Sequence, residues 1–357
     1  MTASPMDTAP IPRRCAAQPL PDPETPTEEG VMRLRRAWPV PGADEAVLAV
    51  ELEQEDGTIR AGWWSRSQLQ LLQPGQDPKL RTLADWADQG TVISHRPGKR
   101  AVVRLDPPTR YVKVVRRGKA SGITDGIARA AAFQGPFRTP EVLESTDSTV
   151  TFSAVEGRSL HHAEEFTHQE WTQAWCAVTE AWRTGASAEP QRGTKALVHR
   201  AEAEAGVLRH WHQLVSPWLP DAAAAERTVE RVVGLLRNLP EEQLRPAHRD
   251  LHDKQLLYCR EAGPGLLDVD TACLADPALD LGNLRAHAAL RQLQGLWSRQ
   301  QAETVSFCVD ETAEQLSVPR GSAAVYEQAA LLRLGFVYAV RPQYADVAAR
   351  LRRLVSD

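Results

Sequence analysis

Hydrophobic and polar residues alternate with a period of two along the first part of the chain, and longer helical repeats dominate the second part. Period-two patterns around Asp56–Gly57 predict a hairpin over residues 46–64. A short helix is predicted next, and further strand patterns follow it at TVISH, AVVRL, RYVKVV, EVLES and TVTFSAV. Spacing of about 3.6 residues then predicts helices at 165–185, 196–215, 221–238, 283–304 and 322–340. The pattern indicates an α+β protein with a small antiparallel-β N-lobe, 31–156, and a larger, mainly helical C-lobe, 157–357.

Three local features add to this outline. Residues 1–30 are rich in Pro, Thr, Ala and acidic residues and have little to bury, so we expect a disordered tail or a partner-binding arm. The Pro97–Gly98 turn between two predicted strands is typical either of an ordinary hairpin or of a phosphate-binding loop. The start of the third long helix, at Asp221 after a proline, predicts an N-cap.

Composition narrows the class of protein. A net charge of -4 gives no general attraction to nucleic acid or to anionic membranes. No apolar run reaches the roughly 18 residues of a membrane span, and the first residues lack the apolar region of a signal peptide. The five cysteines form no C-x-x-C pair, so neither a zinc module nor a disulfide framework is indicated and a reducing cytoplasm is expected.

A short β-like segment, 247–270, carries the candidate chemistry inside the helical lobe. In HRDLHDKQLLY, Gln255 follows Asp250 by five residues, and a predicted hairpin brings Gln255 to the same end as Asp268 of LLDVD. An amide oxygen and a carboxylate suit Mg²⁺, which prefers oxygen ligands, and Asp250 remains free to accept a proton. This division of roles fits phosphoryl transfer from a nucleotide. The alternative is a polar turn between two strands.

The same residues carry a family resemblance. HRDLHDKQLL, followed by LLDVDTACLADPALDLGNL, resembles the signature of the aminoglycoside phosphotransferase and choline kinase-like superfamily, H-x-D-x-x-x-x-N and a later D-P-x-x-D-L. The resemblance implies a two-lobed protein-kinase-like fold, a kinase activity, ATP or GTP as the phosphate donor, and Mg²⁺.

The resemblance also implies roles for individual residues. His248 and Asp250 match the catalytic-loop His and Asp, Gln255 and Asp268 match the metal ligands, and Lys113 resembles the strand lysine that contacts phosphates. Backbone groups from Ser153 to Val155 would contact the adenine. His248 either acts as a base or braces the loop through hydrogen bonds. Lys113 either contacts phosphates or is an ordinary strand lysine.

Other polar residues of the segment keep alternative interpretations. Asp276 and Asp280 match the trailing motif, where they either cap a helix or accept hydrogen bonds from loop amides. Asp270 either supports the metal ligands or contacts a second metal. His252 and Asp253 either line the phosphate or substrate side or lie in solvent.

The sequence departs from the family pattern at two places. Gln255 stands where the family has Asn, which adds a methylene to a predicted metal ligand. The predicted helix after Lys113 contains no Glu to pair with that lysine, so Asp125 or Glu141 substitutes, or phosphate alone holds the lysine.

The leading hypothesis is an ATP- or GTP-dependent kinase of a hydroxyl on a sugar, an antibiotic or a related metabolite. The alternatives are a kinase of Ser or Thr in a peptide of a modified-peptide pathway, and a weakly active or inert pseudokinase scaffold. Neither 159–245 nor 285–357 contains a dense acidic cluster, so the sequence does not support a polycationic substrate.

Overall fold

The chain begins with a five-stranded antiparallel sheet. The structure is a computed structural model that describes residues 17–42, 45–189, 197–240 and 243–356. Neighbouring strands of this first sheet are consecutive in sequence, and they are β1 (Glu24–Thr27), β2 (Gly30–Pro39), β3 (Leu48–Glu53), β4 (Ile59–Ser65) and β5 (Gln68–Leu71). The predicted hairpin at 46–64 is confirmed as β3 and β4, and Gly57 supplies the positive φ of +85° that its turn requires.

The predicted disordered tail was too long. Residues 1–16 lie outside the described residues, but residues 24–27 form β1, which pairs with β2 from Glu24↔Arg33 to Thr27↔Gly30. Pairing through backbone hydrogen bonds needs few apolar side chains, so low hydrophobicity did not prevent a strand here. The proposed role of the tail as a partner-binding arm stays a prediction.

A second five-stranded antiparallel sheet follows, in the order β6-β7-β8-β10-β9. Its strands and the two helices around it are α1 (Leu83–Ala87), β6 (Thr91–Arg96), β7 (Arg100–Leu105), β8 (Arg110–Val115), α2 (Ala120–Arg129), β9 (Val142–Ser145) and β10 (Thr149–Ser153). The strand predictions for this sheet are confirmed. The amide of Gly98, in the β6–β7 turn, donates to the buried carboxylate of Asp77 at 2.6 Å. Because this amide is bonded within the protein, the turn corresponds to the ordinary hairpin interpretation.

Two three-stranded sheets lie within the helical part and hold the polar loop. One has the order β11-β14-β15, and the other has the order β12-β16-β13. Their strands are β11 (Arg158–Ser159), β12 (Val198–His199), β13 (Arg245–Ala247), β14 (Leu256–Cys259), β15 (Gly263–Leu266) and β16 (Cys273–Ala275). The loop with His248 and Asp250 therefore runs from β13 of one sheet to β14 of the other.

Seven longer helices complete the described chain. They are α3 (His168–Ala186), α4 (Ala201–Val215), α5 (Ala222–Arg237), α6 (Pro277–Leu293), α7 (Arg299–Gln315), α8 (Arg320–Val337) and α9 (Ala345–Ser356). The prediction of one helix at 283–304 is wrong, because two separate helices, α6 and α7, occupy this range. Gly295 has a φ of +72° there, and Ser298 and Gln301 form a capping box that starts α7. Asp221 lies at the start of α5 as predicted, but its carboxylate binds Arg352 rather than a helix amide.

The main hydrophobic core joins the helices to the first sheet. Buried residues of β2 and β3, such as Leu34 and Val50, belong to the same cluster as Trp175 of α3. The second sheet has a smaller cluster of its own, which includes Val103 and Val112. The first sheet is thereby fixed against the helical part, while a cavity remains beside the second sheet. Among the described residues, no helix is both long and apolar enough to cross a bilayer.

Candidate active site

Buried hydrogen bonds hold the polar loop that follows β13. His248 is fully buried and its Nε2 donates to the Leu267 carbonyl at 3.0 Å. Asp280, also fully buried, accepts from the amides of His248 and Arg249, each at 2.7 Å. Arg249 has a φ of +72°, which turns the chain so that these two amides point the same way. His248 does not line the cavity, and this geometry corresponds to the bracing interpretation.

The trailing motif has the geometry expected from the sequence. Asp276 is the N-cap of α6 and accepts from the Ala278 amide at 2.8 Å. Asp280 lies one turn further on and, besides the loop amides, accepts from Trp182 Nε1 at 3.0 Å. One carboxylate therefore ties the loop to both α6 and α3.

A cavity of about 700 Å³ separates the second sheet from the helical part. Six of the seven site residues predicted from the sequence line it, and they are Lys113, Ser153, Val155, Asp250, Gln255 and Asp268. They come from β8, from the end of β10, and from the loop and hairpin around β14 and β15. The tertiary structure therefore brings the predicted residues together in one place.

Gln255 and Asp268 offer oxygen atoms to a divalent cation. The backbone of Leu267 donates to the Gln255 carbonyl at 2.8 Å, which fixes Asp268 beside Gln255. Gln255 Oε1 is buried and has no hydrogen-bond partner within the described ranges, and its Nε2 contacts Asp250 Oδ2 at a long 3.4 Å. An amide oxygen without a partner next to a carboxylate fits Mg²⁺, so the longer Gln side chain does not remove this candidate ligand.

Lys113 pairs with Asp268 and Asp270. Its Nζ donates to Asp268 Oδ1 at 2.6 Å and to the two Asp270 oxygens at 3.0 and 2.9 Å. Burial opposes ionisation of Asp268, but the charge of Lys113 lowers the pKa of Asp268 to about 2. Burial and the neighbouring Asp268 charge raise the pKa of Asp270. The expectation that Asp125 or Glu141 replaces the missing helix Glu is wrong, since both are exposed.

Helix α2 contacts the backbone of the segment that contains Asp270. Arg129 donates to the carbonyls of Ala272 at 2.7 Å and Asp270 at 3.2 Å. A Cβ built on Gly126 would lie 2.5 Å from the Asp270 carbonyl oxygen, so only glycine allows this approach. This contact places α2 against residues 269–271 without an acidic side chain from the helix.

The cavity also has apolar walls that suit a flat ring. Val102, Phe152, Leu257 and Leu267 line it together with Val155. The Ser153 amide already donates to the Glu141 carbonyl at 3.0 Å, and Ser153 Oγ accepts from the Glu141 amide at 2.9 Å. The Ser153 amide and hydroxyl are therefore already bonded within the protein, and the adenine contact expected at Ser153 to Val155 stays a prediction.

Asp253 anchors the loop beneath the cavity. Its oxygens accept from Arg291 Nε and Nη2 at 2.9 and 3.0 Å and from His161 Nδ1 at 2.6 Å. Asp253 is fully buried and does not line the cavity, so both of its interpretations are wrong, whereas His252 does line the cavity, stacked on His287. His252, Asp253 and His287 offer ligand atoms within 4.8 Å of one another. However, the guanidinium of Arg291 occupies the same carboxylate and would repel a cation.

Sequence reasoning missed several residues that line the cavity. They are Arg36 and Trp38 of β2, Lys254 of the loop, Arg291 of α6, Arg333 of α8, and Tyr338 and Arg341 after α8. The only sequence signal among them is Arg333, a lone charge in the apolar run ALLRLGFV. Arg36 and Trp38 reach the cavity only because the first sheet docks on the helices.

Comparison with known proteins supports the sequence match. The sequence profile of the phosphotransferase enzyme family matches residues 79–313. No curated protein sequence matches the chain.

Solved structures share the fold at low sequence identity. An amicoumacin kinase bound to AMP-PNP, Ca²⁺ and Ami is 13% identical, with a TM-score of 0.55 over 76% of this chain and 88% of that one. A Plasmodium vivax ethanolamine kinase is 8% identical, with a TM-score of 0.52 over 76% and 83%. An aminoglycoside phosphotransferase in a ternary complex with streptomycin and ATP is 11% identical, with a TM-score of 0.51 over 76% and 94%. The predicted two-lobed kinase-like fold is thereby confirmed.

Proposed function

The chain belongs to the phosphotransferase enzyme family, and from this premise we propose that it transfers the γ-phosphate of ATP or GTP to a hydroxyl of a small molecule. The observation that carries the proposal is the convergence of Lys113, Asp250, Gln255 and Asp268 on one cavity. In this proposal residues 31–156 mainly hold the nucleotide, and residues 157–357 supply the loop and the acceptor site.

Each residue has a stated role in the transfer. Asp250 orients the acceptor hydroxyl and takes its proton, and His248 positions Asp250 by bracing the loop. Burial opposes ionisation of Asp250, but the charges of neighbouring groups, among them Arg333, lower its pKa, so it is ionised at neutral pH. Gln255 and Asp268 would hold Mg²⁺, which when bound neutralises phosphate charge. Lys113 would contact the phosphates, and Asp270 keeps its side chain in position.

The proposal is tested with Asp250→Asn. This variant should keep the rise in melting temperature that Mg·AMP-PNP produces in the wild type, because the nucleotide contacts remain. Its transfer to a panel of sugars, antibiotics, acidic alcohols and a serine peptide should fall by about 10²–10⁴-fold, the usual contribution of a general base. Asp125→Asn is the matched control and should behave as the wild type. Equal turnover by Asp250→Asn would contradict the proposal.

The same measurements separate the alternatives. A wild-type protein whose melting temperature does not respond to millimolar Mg·ATP or Mg·GTP would support the scaffold instead. Transfer confined to the serine peptide would support the peptide kinase.

A further inference from the structure

One end of the cavity concentrates positive charge. Arg36 from β2, Lys254 from the loop and Arg341 from the segment after α8 line it together, and we call these three residues the basic end. Over the whole cavity, seven Lys and Arg side chains face three Asp side chains. Two of those three acids, Asp268 and Asp270, already hold Lys113.

The basic end lacks compensating acids. Among the described residues, no carboxylate oxygen lies within 4.0 Å of the charged nitrogens of Lys254 or Arg341, and the buried Nε of Arg341 has no hydrogen-bond partner. The nearby Asp253 is already paired with Arg291, whose side chain is 1% exposed.

Arg36 is also only partly compensated. Its Nε lies 3.6 Å from Glu51, and the same carboxylate faces Arg35 at 3.9 Å. One acid therefore serves two arginines, which leaves Arg36 with charge to offer a ligand.

Burial and neighbouring like charges lower pKa values at the basic end. Burial and the charge of Arg291 lower the pKa of Lys254 to about 8. Burial also lowers the pKa of Arg341, and the charge of Arg36 adds to this. Arg36 and Arg341 are half-buried, whereas Lys254 keeps an exposed surface. Half-buried cations without full compensation are costly to the protein, and a bound oxyanion would relieve that cost.

An aromatic ring restrains the guanidinium group of Arg341, which lies over the Tyr338 ring at 4.5 Å. Planar guanidinium groups held in this way present donors that match carboxylate and phosphate oxygens. A polycationic acceptor would meet repulsion here.

We propose that the acceptor is an alcohol that also carries a carboxylate or a phosphate, and that Arg36, Lys254 and Arg341 bind this oxyanion. The inference rests on the proposed phosphotransfer at Asp250. The acceptor oxygen forms a bond to the γ-phosphorus, its proton passes to Asp250, and the bond from that phosphorus to the bridging oxygen of the nucleoside diphosphate breaks. Arg36 and Arg341 both lie outside the matched residues 79–313, so two of the three cations belong to parts of the chain that the family profile does not match.

The test compares four matched probes: glycerol, glycerate, glycerol 3-phosphate and 3-amino-1,2-propanediol. Each is titrated by calorimetry and by melting temperature into wild-type protein saturated with Mg·AMP-PNP. Glycerate or glycerol 3-phosphate, or both, should bind, and the response shows whether a carboxylate or a phosphate is preferred. Glycerol and the aminodiol should bind at least about ten-fold more weakly, since hydrogen bonds to charged groups are lost. Equal binding of all four, or preference for the aminodiol, would overturn the proposal.

Variants locate the binding to the basic end. Lys254→Met should weaken the anionic probes at least about ten-fold, and Lys254→Arg should retain them. Arg36→Met is a second variant on a different element, and Arg117→Met, which changes an exposed arginine paired with Asp147, is the control. Undiminished anion binding in both Met variants refutes the assignment. So does a loss of Mg·AMP-PNP binding equal to the loss of anion binding, because these cations would then serve the nucleotide.

Failure of the proposed function gives a different result. A wild-type protein that does not bind Mg·AMP-PNP at all would count against phosphotransfer. The anionic probes titrated into nucleotide-free protein, with Lys254→Met beside it, would still report whether the basic end binds oxyanions.

Discussion

Replacement of Asp253 by alanine should be among the most destabilising single changes in the catalytic loop. Asp253 and Arg291 form a two-point ion pair whose side chains are 0% and 1% exposed. The charge of Arg291 and the hydrogen bonds to Asp253 outweigh burial and hold the pKa of Asp253 well below its usual range. The alanine variant leaves the guanidinium buried with no carboxylate.

The structure gives the scale of the loss. Removal of one partner from a buried ion pair costs about 3–5 kcal/mol. An exposed pair is worth about 0–1 kcal/mol, and Asp310→Ala, which breaks the pair between Arg285 and a 60% exposed Asp310, provides that comparison. Asp253→Ala should therefore cost several times more free energy of unfolding than Asp310→Ala.

The assay is urea denaturation at pH 7, followed by tryptophan fluorescence and circular dichroism. The double variant Asp253→Ala with Arg291→Met should be more stable than Asp253→Ala alone, because no unpaired charge remains buried. A coupling energy of about 0.5–3 kcal/mol is expected for groups in contact. A cost below about 1 kcal/mol for Asp253→Ala, or strictly additive single effects, would refute the reasoning.

Three further predictions concern a close contact, an acid-sensitive turn and a metal ligand. Gly126→Ala should cost about 1–3 kcal/mol in urea denaturation, because its Cβ would meet the Asp270 backbone. Gly122→Ala, in open space on the same helix, should stabilise by about 0.5–1 kcal/mol, and equal effects would contradict this. Burial opposes ionisation of Asp77, but hydrogen bonds from a histidine and two amides lower its pKa. Its stabilisation is therefore fully present above about pH 4 and lost as the pH falls through the folded value, so the stability gap between wild type and Asp77→Asn should shrink from pH 7 to pH 3. A gap independent of pH would speak against it. Gln255→Leu should raise the Mg²⁺ concentration needed for AMP-PNP to increase the melting temperature by at least about ten-fold, and an unchanged requirement would show that Gln255 is not a ligand.

Local patterns predicted most of the elements. Period-two alternation located the strands of the second sheet, and the spacing from Asp250 to Gln255 and Asp268 located residues that share one cavity. The break between α6 and α7 was missed although Gly295 and the capping box of Ser298 are visible in the sequence, because the apolar repeat continues through both helices.

Charge compensation was less predictable. The expected partners of Lys113 were Asp125 and Glu141, yet its partners are Asp268 and Asp270, 155 and 157 residues further along the chain. Such a pair depends on how closely α2 packs on the 269–271 segment. The absence of a side chain at Gly126 allows this close packing.

The sequence by itself determined the β3–β4 hairpin, the strands of the second sheet, most helices, the candidate loop and the family, because these depend on residues near one another in the chain. The tertiary structure alone decided which charges are left without partners. Arg36, Lys254 and Arg341 come from three distant segments and meet only where the first sheet docks on the helices. Burial and Coulomb energy depend on distances in space, and spacing along a chain does not contain those distances.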